Sequence, residues 1–144
     1  MSATVLDSYV ESIERIQPHQ ANNYSNAHGG EVVKLMDELA AVSAMTVAHE
    51  TCVTASIGSV DFESPIPVGD VAELKAYVYG TGQTSLDVRV VAESHDPRED
   101  TVQETTSACF TMVAIDGDGN SVGVPEVSAE TERGERLVEN ADYC

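Results

Sequence analysis

The sequence predicts a single α+β domain, one long and mostly buried helix followed by a run of antiparallel strands. Three observations predict it. Residues 31–48 contain neither Gly nor Pro, a run of helix length. Val32, Val33, Leu35, Met36, Leu39, Ala40, Val42, Met45, Val47 and Ala48 place more than one apolar stripe on that helix. From residue 53 onward, strand-like segments separated by turn signals carry alternating apolar and polar side chains.

A chain of 144 residues is long enough to bury a core as one domain. The core is expected over about 9–127, with 128–144 a charged tail that forms a short helix at the rim. No apolar run is long enough for a transmembrane helix, and MSATVLDSY lacks the basic and apolar regions of a secretory signal. Cys52, Cys109 and Cys144 are an odd count without a CxxC pair. Cys52 and Cys109 fall in strand-like segments and are expected as buried free thiols, which fits a reducing cytoplasm.

Charge is the unusual feature. Asp plus Glu number 25, Lys plus Arg only 7, and the net charge is −18. Disorder is excluded by an apolar content of 42% and by clear periodicity. A nucleic-acid partner would be repelled. A surface adapted to concentrated salt remains, because salt screens self-repulsion to within about 3 Å at 1 M. The expected host is a halophile.

In chain order, residues 1–8 read as a loose start and 9–16 as a strand stopped by Pro18. A polar, Asn-rich loop spans 19–27, and the helix runs to about His49. Residues 53–62 alternate Val53, Ala55 and Ile57 against Thr54, Ser56 and Gly58. After the Pro/Gly turn 64–70, residues 71–79 turn Ala72, Leu74, Ala76 and Val78 inward. Residues 85–92 do the same with Leu86, Val88, Val90 and Ala92. The acidic turn 94–100, a long strand over 101–115 and the turn DGDGN (116–120) follow.

One carboxylate interrupts the helix pattern. At 3.6 residues per turn, Asp37 lies nearly above Gly30 and shares its face with Val33, Ala41 and Ala44. A carboxylate among apolar and small side chains is costly unless paired, hydrogen-bonded or functional. The opposing reading is a solvent-facing Asp, since Lys34 and Glu38 mark a polar edge on the same helix.

The stretch HGGEVVKLMDELA, with Asn22 ahead of it, resembles the brain-type acyl-CoA hydrolases of the hotdog superfamily. These carry an Asn, an HGG and an MDE in this order. Here they are Asn22, His28-Gly29-Gly30 and Met36-Asp37-Glu38. Similarity continues through VTASIGSVDF, PIPVGD, SACFTMVAID and VGVPEV, covering about 13–132. The resemblance implies a hotdog fold, a long central helix wrapped by a curved antiparallel sheet. It also implies hydrolysis of acyl-CoA thioesters without metal or redox cofactor. Such domains pair into dimers, often as trimers of dimers, with the Asn loop and the Asp helix of one site coming from opposite protomers.

Thioester hydrolysis needs a carboxylate and donors where the oxyanion forms. Free backbone N–H groups at a helix start suit the second task, so Gly29 or Gly30 is the expected donor. Asp37 is the expected carboxylate, as general base or nucleophile. Asn22 would orient the water or hold the thioester, although Asn23 and Asn26 compete for the role and all three suit a turn. His28 reads as a structural residue of the helix start that could touch substrate, and His49 as a residue closing the helix. The four His show no metal-ligand spacing, so no metal is expected. For the phosphates of coenzyme A the candidates are Lys75 and Arg89, then Arg98 and Lys34, with Thr84 and Ser85 as neutral donors. Two other functions fit the same fold, a non-catalytic acyl-CoA-binding module and an enoyl-CoA hydratase or dehydratase.

Overall fold

A computed structural model describes residues 3–142 and 144. In chain order the elements are β1 (Ala3–Thr4), β2 (Val10–Arg15), α1 (Gly29–Ala48), β3 (Thr51–Phe62), β4 (Val71–Thr81), β5 (Ser85–Asp96), β6 (Thr101–Ile115), β7 (Val127–Ser128) and α2 (Glu132–Asn140). Strands β2-β4-β5-β6-β3 form one antiparallel sheet, and β1 pairs with β7. The two edges are β2 and β3, the strands on either side of α1 in sequence. The helix touches all five strands, as expected of a sheet wrapped around it.

The inward residues of β4 and β5 are those the alternation predicts. Leu74, Val78, Leu86, Val88 and Val90 are buried against Met36, Leu39, Ala40 and Ala44 of α1, with Phe110 and Met112 from β6. Alanines at 72, 76, 92, 108 and 114 thin the inner sheet face and let the helix lie close. His49 ends α1 in a left-handed conformation (φ 55°), its N–H donating to the carbonyl of Met45.

Five expectations need correction. The loose start is ordered: Val5 and Ser8 are buried. Ser43 Oγ on α1 donates to the Ser8 carbonyl at 2.7 Å, and Val78 N–H on β4 donates to Ser8 Oγ at 2.8 Å. Helix α1 is not covered all round, since Lys34, Glu38, Val42 and Met45 form an exposed stripe. Strand β3 is not half-buried, because it is a sheet edge whose residues are exposed except Cys52 and, in part, Val60. The tail helix α2 lies on the outer face of the sheet, not at its rim. There Tyr77 Oη donates to the Leu137 carbonyl at 2.6 Å, and Cys109 forms a disulfide with Cys144. Cys109 is therefore not a free thiol; among the described residues Cys52 is, and burial followed by the charge of Glu50 pushes its pKa up.

The Ser8 junction yields a stability prediction. Ser8→Ala leaves the buried Val78 N–H without its acceptor, an expected loss of about 1–3 kcal/mol. A urea titration in molar KCl should show a lower midpoint at unchanged slope. An unshifted midpoint would return residues 3–8 to the status of a loose start.

Candidate active site

Two loops prepare the start of α1. Gln20 is buried. Its Oε1 accepts from the Gln17 N–H at 2.7 Å, and its Nε2 donates to Glu31 in the first helical turn at 3.2 Å. The His28 N–H donates to the Gln20 carbonyl at 2.9 Å, while the His28 side chain makes no capping bond. The Pro/Gly turn zips onto the Asn loop through Ala27 N–H to the Ile66 carbonyl and Val68 N–H to the Ser25 carbonyl. Gln20 was not singled out in the sequence, where nothing distinguishes a buried glutamine from a surface one.

Gly29 and Gly30 open the helix, where N–H groups lack intrahelical acceptors. They differ in their surroundings. A Cβ on Gly29 would stand 3.3 Å from the ring of Phe62, whereas one on Gly30 would meet nothing within 4 Å. Gly29 also borders a cavity of about 410 Å³ lined by Val32, Phe62, Ser64, Ile66 and Thr106. Close packing and a neighbouring cavity single out Gly29 as the glycine whose backbone faces a ligand-sized space.

Asp37 sits two turns on, half-buried, facing β3. Its Oδ1 accepts from Thr54 Oγ1 at 2.5 Å. The β3–β6 register slips between Thr54 and Ser56, so the strand bulges beside this pair. A bulge re-aims side chains and is a frequent neighbour of functional groups. Thr54 is a candidate residue that the sequence does not single out, since in the alternation it is an ordinary polar strand residue.

Asn22 closes its own loop. Its Oδ1 accepts from the N–H groups of Tyr24 at 2.9 Å and Asn26 at 3.3 Å, which leaves the side-chain NH2 as the outward donor. The other candidates are dispersed within the protomer. Lys75 is on the outer sheet face, paired with Glu93 at 2.9 Å, an interaction that pushes its pKa up. Arg89 is buried on that same face, its guanidinium donating to the Asn140 carbonyl beneath α2. Thr84 and Ser85 lie at the β4–β5 turn, the end of the sheet remote from Gly29. Among the described residues, no three His, Cys, Asp or Glu converge to hold a metal ion.

Geometry restricts how these parts can work. Eight residues separate Gly29 from Asp37, about 12 Å along a helix axis. A reacting carbonyl must lie about 3 Å from both its oxyanion donors and the attacking group. Direct attack by Asp37 on a carbonyl held at the Gly29 N–H of the same protomer would need these groups several ångströms closer.

Comparison with known proteins identifies the family. The model of the Thioesterase superfamily matches residues 24–101. The uncharacterized acyl-CoA thioester hydrolase YkhA of Bacillus subtilis is 33% identical over 88% of this chain and 73% of its own length. The structure described as an apo-hexameric acyl-CoA thioesterase superposes with a TM-score of 0.92 at 38% identity, covering 99% of this chain and 92% of that one. The acyl-CoA hydrolase of Staphylococcus aureus was solved with butyryl coenzyme A, coenzyme A and coenzyme A disulfide. It gives a TM-score of 0.90 at 29% identity, over 99% of this chain and 87% of that one. Further structures of that hydrolase carry single alanine replacements of an asparagine, an aspartate and a threonine, separated by 15 and then 17 residues. Asn22, Asp37 and Thr54 repeat both separations. In fold, in sequence and in the spacing of these three residues, the chain belongs to the thioesterase superfamily and is a hotdog-fold protein.

Proposed function

We propose that this protein hydrolyses acyl-CoA thioesters to the free acid and coenzyme A, at a site shared by two copies of the chain. The observation that carries the reading is the Asp37–Thr54 pair, set beside a bulge at the spacing found in the Staphylococcus hydrolase. Asp37 from one protomer acts on the thioester carbon, either through a water or by direct attack. Thr54 holds the carboxylate in one orientation. The Gly29 N–H of the partner copy receives the oxyanion, aided by the helix dipole. Asn22, with its NH2 free to point outward, positions the water or the thioester; Gly30 and His28 frame the entrance. No metal or redox cofactor enters these steps.

Pairing has a surface to use. Strand β3 is an unpaired edge, and Val53, Ile57 and Phe62 on it are 43%, 41% and 56% exposed. Val42 and Met45 of α1 are exposed as well. An exposed, long, partly apolar edge strand is normally covered, and a second copy placed there supports the composite site. Assembly into a hexamer and residence in the cytoplasm belong to the same proposal. Lys75 and Arg89 face away from Asp37, so the coenzyme phosphates are held by backbone amides or weakly, under salt screening.

The test is release of free thiol from short- to long-chain acyl-CoAs in molar KCl. Turnover on at least one chain length supports the reading, and the best substrate names the chain length. Saturable binding without turnover would favour the binding module, and water addition to an enoyl-CoA the hydratase. Thr54→Val refines the test. Loss of one hydrogen bond to a carboxylate should lower kcat about tenfold to a hundredfold with little change in KM. An unchanged kcat would reduce Thr54 to a strand residue.

A further inference from the structure

We propose that the Cys109–Cys144 disulfide is a thiol-exchange site at which free coenzyme A forms a mixed disulfide with Cys144 and unfastens α2 from the outer face of the sheet. The proposal rests on the hydrolase reading for the source of the thiol, since hydrolysis releases one coenzyme A per turnover.

The two arms of the disulfide differ in exposure. Cys109 is buried on the outer face of β6, whereas Cys144 is exposed. An incoming thiolate therefore reaches the Cys144 sulfur first, and Cys109 is the leaving group. Thirty-five residues separate the pair, and the disulfide ties the far end of α2 to the sheet. Among the described residues the other ties include Tyr77 Oη to the Leu137 carbonyl, Arg89 to the Asn140 carbonyl, the buried Ala141, and Arg133 over the Tyr9 ring at 5.1 Å. A nine-residue helix is too short to persist without tertiary support. Beneath it lies a cavity of about 460 Å³ lined by Tyr9, Lys75, Tyr77, Arg89, Leu137 and Asn140. Opening the disulfide loosens the wall of that cavity. Cys52 does not compete, being buried at the far edge of the sheet with its pKa pushed up by burial.

The exchange balances in two steps. A coenzyme A thiolate attacks Cys144 Sγ; the protein S–S bond breaks, the new S–S bond joins coenzyme A to Cys144, and Cys109 leaves as a thiolate that takes a proton. A second coenzyme A thiolate attacks the coenzyme sulfur, giving coenzyme A disulfide and free Cys144. One protein disulfide is reduced and two coenzyme A thiols are oxidised. Glu139 and Asp142 flank the site and repel the coenzyme phosphates, so exchange should be faster in molar salt than in dilute buffer.

The experiment uses the oxidised full chain in molar KCl with free coenzyme A as probe, followed by intact-mass measurement, peptide mapping and amide hydrogen exchange. Before treatment the denatured protein should show one reactive thiol, Cys52. After brief treatment and an acid quench one coenzyme A should be found on the Cys144 peptide, giving way at longer times to free Cys109 and Cys144, and exchange across 132–141 should accelerate about tenfold while α1 and β3 stay unchanged. Cys144→Ser should exchange fast in that segment without coenzyme A and take no adduct there. Three reactive thiols even after mild oxidation, a disulfide inert to millimolar coenzyme A, or an adduct without faster exchange would each overturn the proposal. Because coenzyme A is supplied directly, these readouts do not depend on hydrolysis. Failure of the hydrolase reading appears separately, as absence of thiol release from acyl-CoAs.

Discussion

Replacing Asp37 by Asn is expected to lower thioester turnover by about 10²–10⁴-fold, the usual contribution of a positioned acid or base. That range corresponds to about 3–5 kcal/mol of transition-state stabilisation. Asn keeps the shape of the side chain and an oxygen that can accept from Thr54 Oγ1, so the α1–β3 contact survives. The loss should therefore fall on kcat, with KM, oligomer size and far-UV circular dichroism close to wild type. The complementary experiment mixes Asp37→Asn with Gly29→Val. Valine at 29 collides with Phe62 and closes the space at the helix start. If Gly29 and Asp37 of one site come from different protomers, mixed dimers regain one intact site. Restored turnover on mixing supports the composite site, and rates that merely average sink it. A rate within threefold of wild type for Asp37→Asn alone would remove the carboxylate from the mechanism.

Dilution of salt is the second large effect. The chain carries 25 acidic and 7 basic residues. Lysines and arginines offset few of the carboxylates: Lys75 pairs with Glu93, Arg98 with Asp96 and Arg136 with Glu132 among the described residues. Arg98 is so engaged with Asp96 that this carboxyl is held below its usual range. The core that must oppose the remaining repulsion contains eight alanines, each burying little apolar area. At 1 M salt the screening length is about 3 Å, and at 0.01 M about 30 Å, wide enough for like charges across the whole sheet to act together. Moving the protein from molar KCl to dilute buffer is expected to abolish helical ellipticity and thiol release together, and restoring KCl to recover both. Full structure and activity in dilute buffer would show that the acidic surface is tolerated rather than adapted to salt.

Several features could be read without coordinates. The alternation in 71–79 and 85–92 named the inward residues of β4 and β5, because a strand with one covered face repeats every two residues. The long helix was legible from its apolar stripes and its lack of Gly and Pro. Asn22, Gly29 and Asp37 could be proposed because a family pattern lies within sixteen residues of chain. Other features were not. The same alternation misled at 53–62, where it cannot tell a covered strand from an edge. Cys109 and Cys144 each looked ordinary, since their pairing depends on α2 folding back over the outer face. Lys75 and Arg89 were chosen for charge alone, and charge carries no information about which side of a sheet it occupies.

Spacings of two to about sixteen residues set the helix, the inward faces of the central strands and the order of the motif residues. Long-range packing decided the rest: β3 as an open edge, Thr54 against Asp37, and the disulfide across the outer face. Each of these depends on the strand order β2-β4-β5-β6-β3, which makes edges of the two strands flanking α1. Strand order comes from long-range pairing, and local periodicity does not encode it.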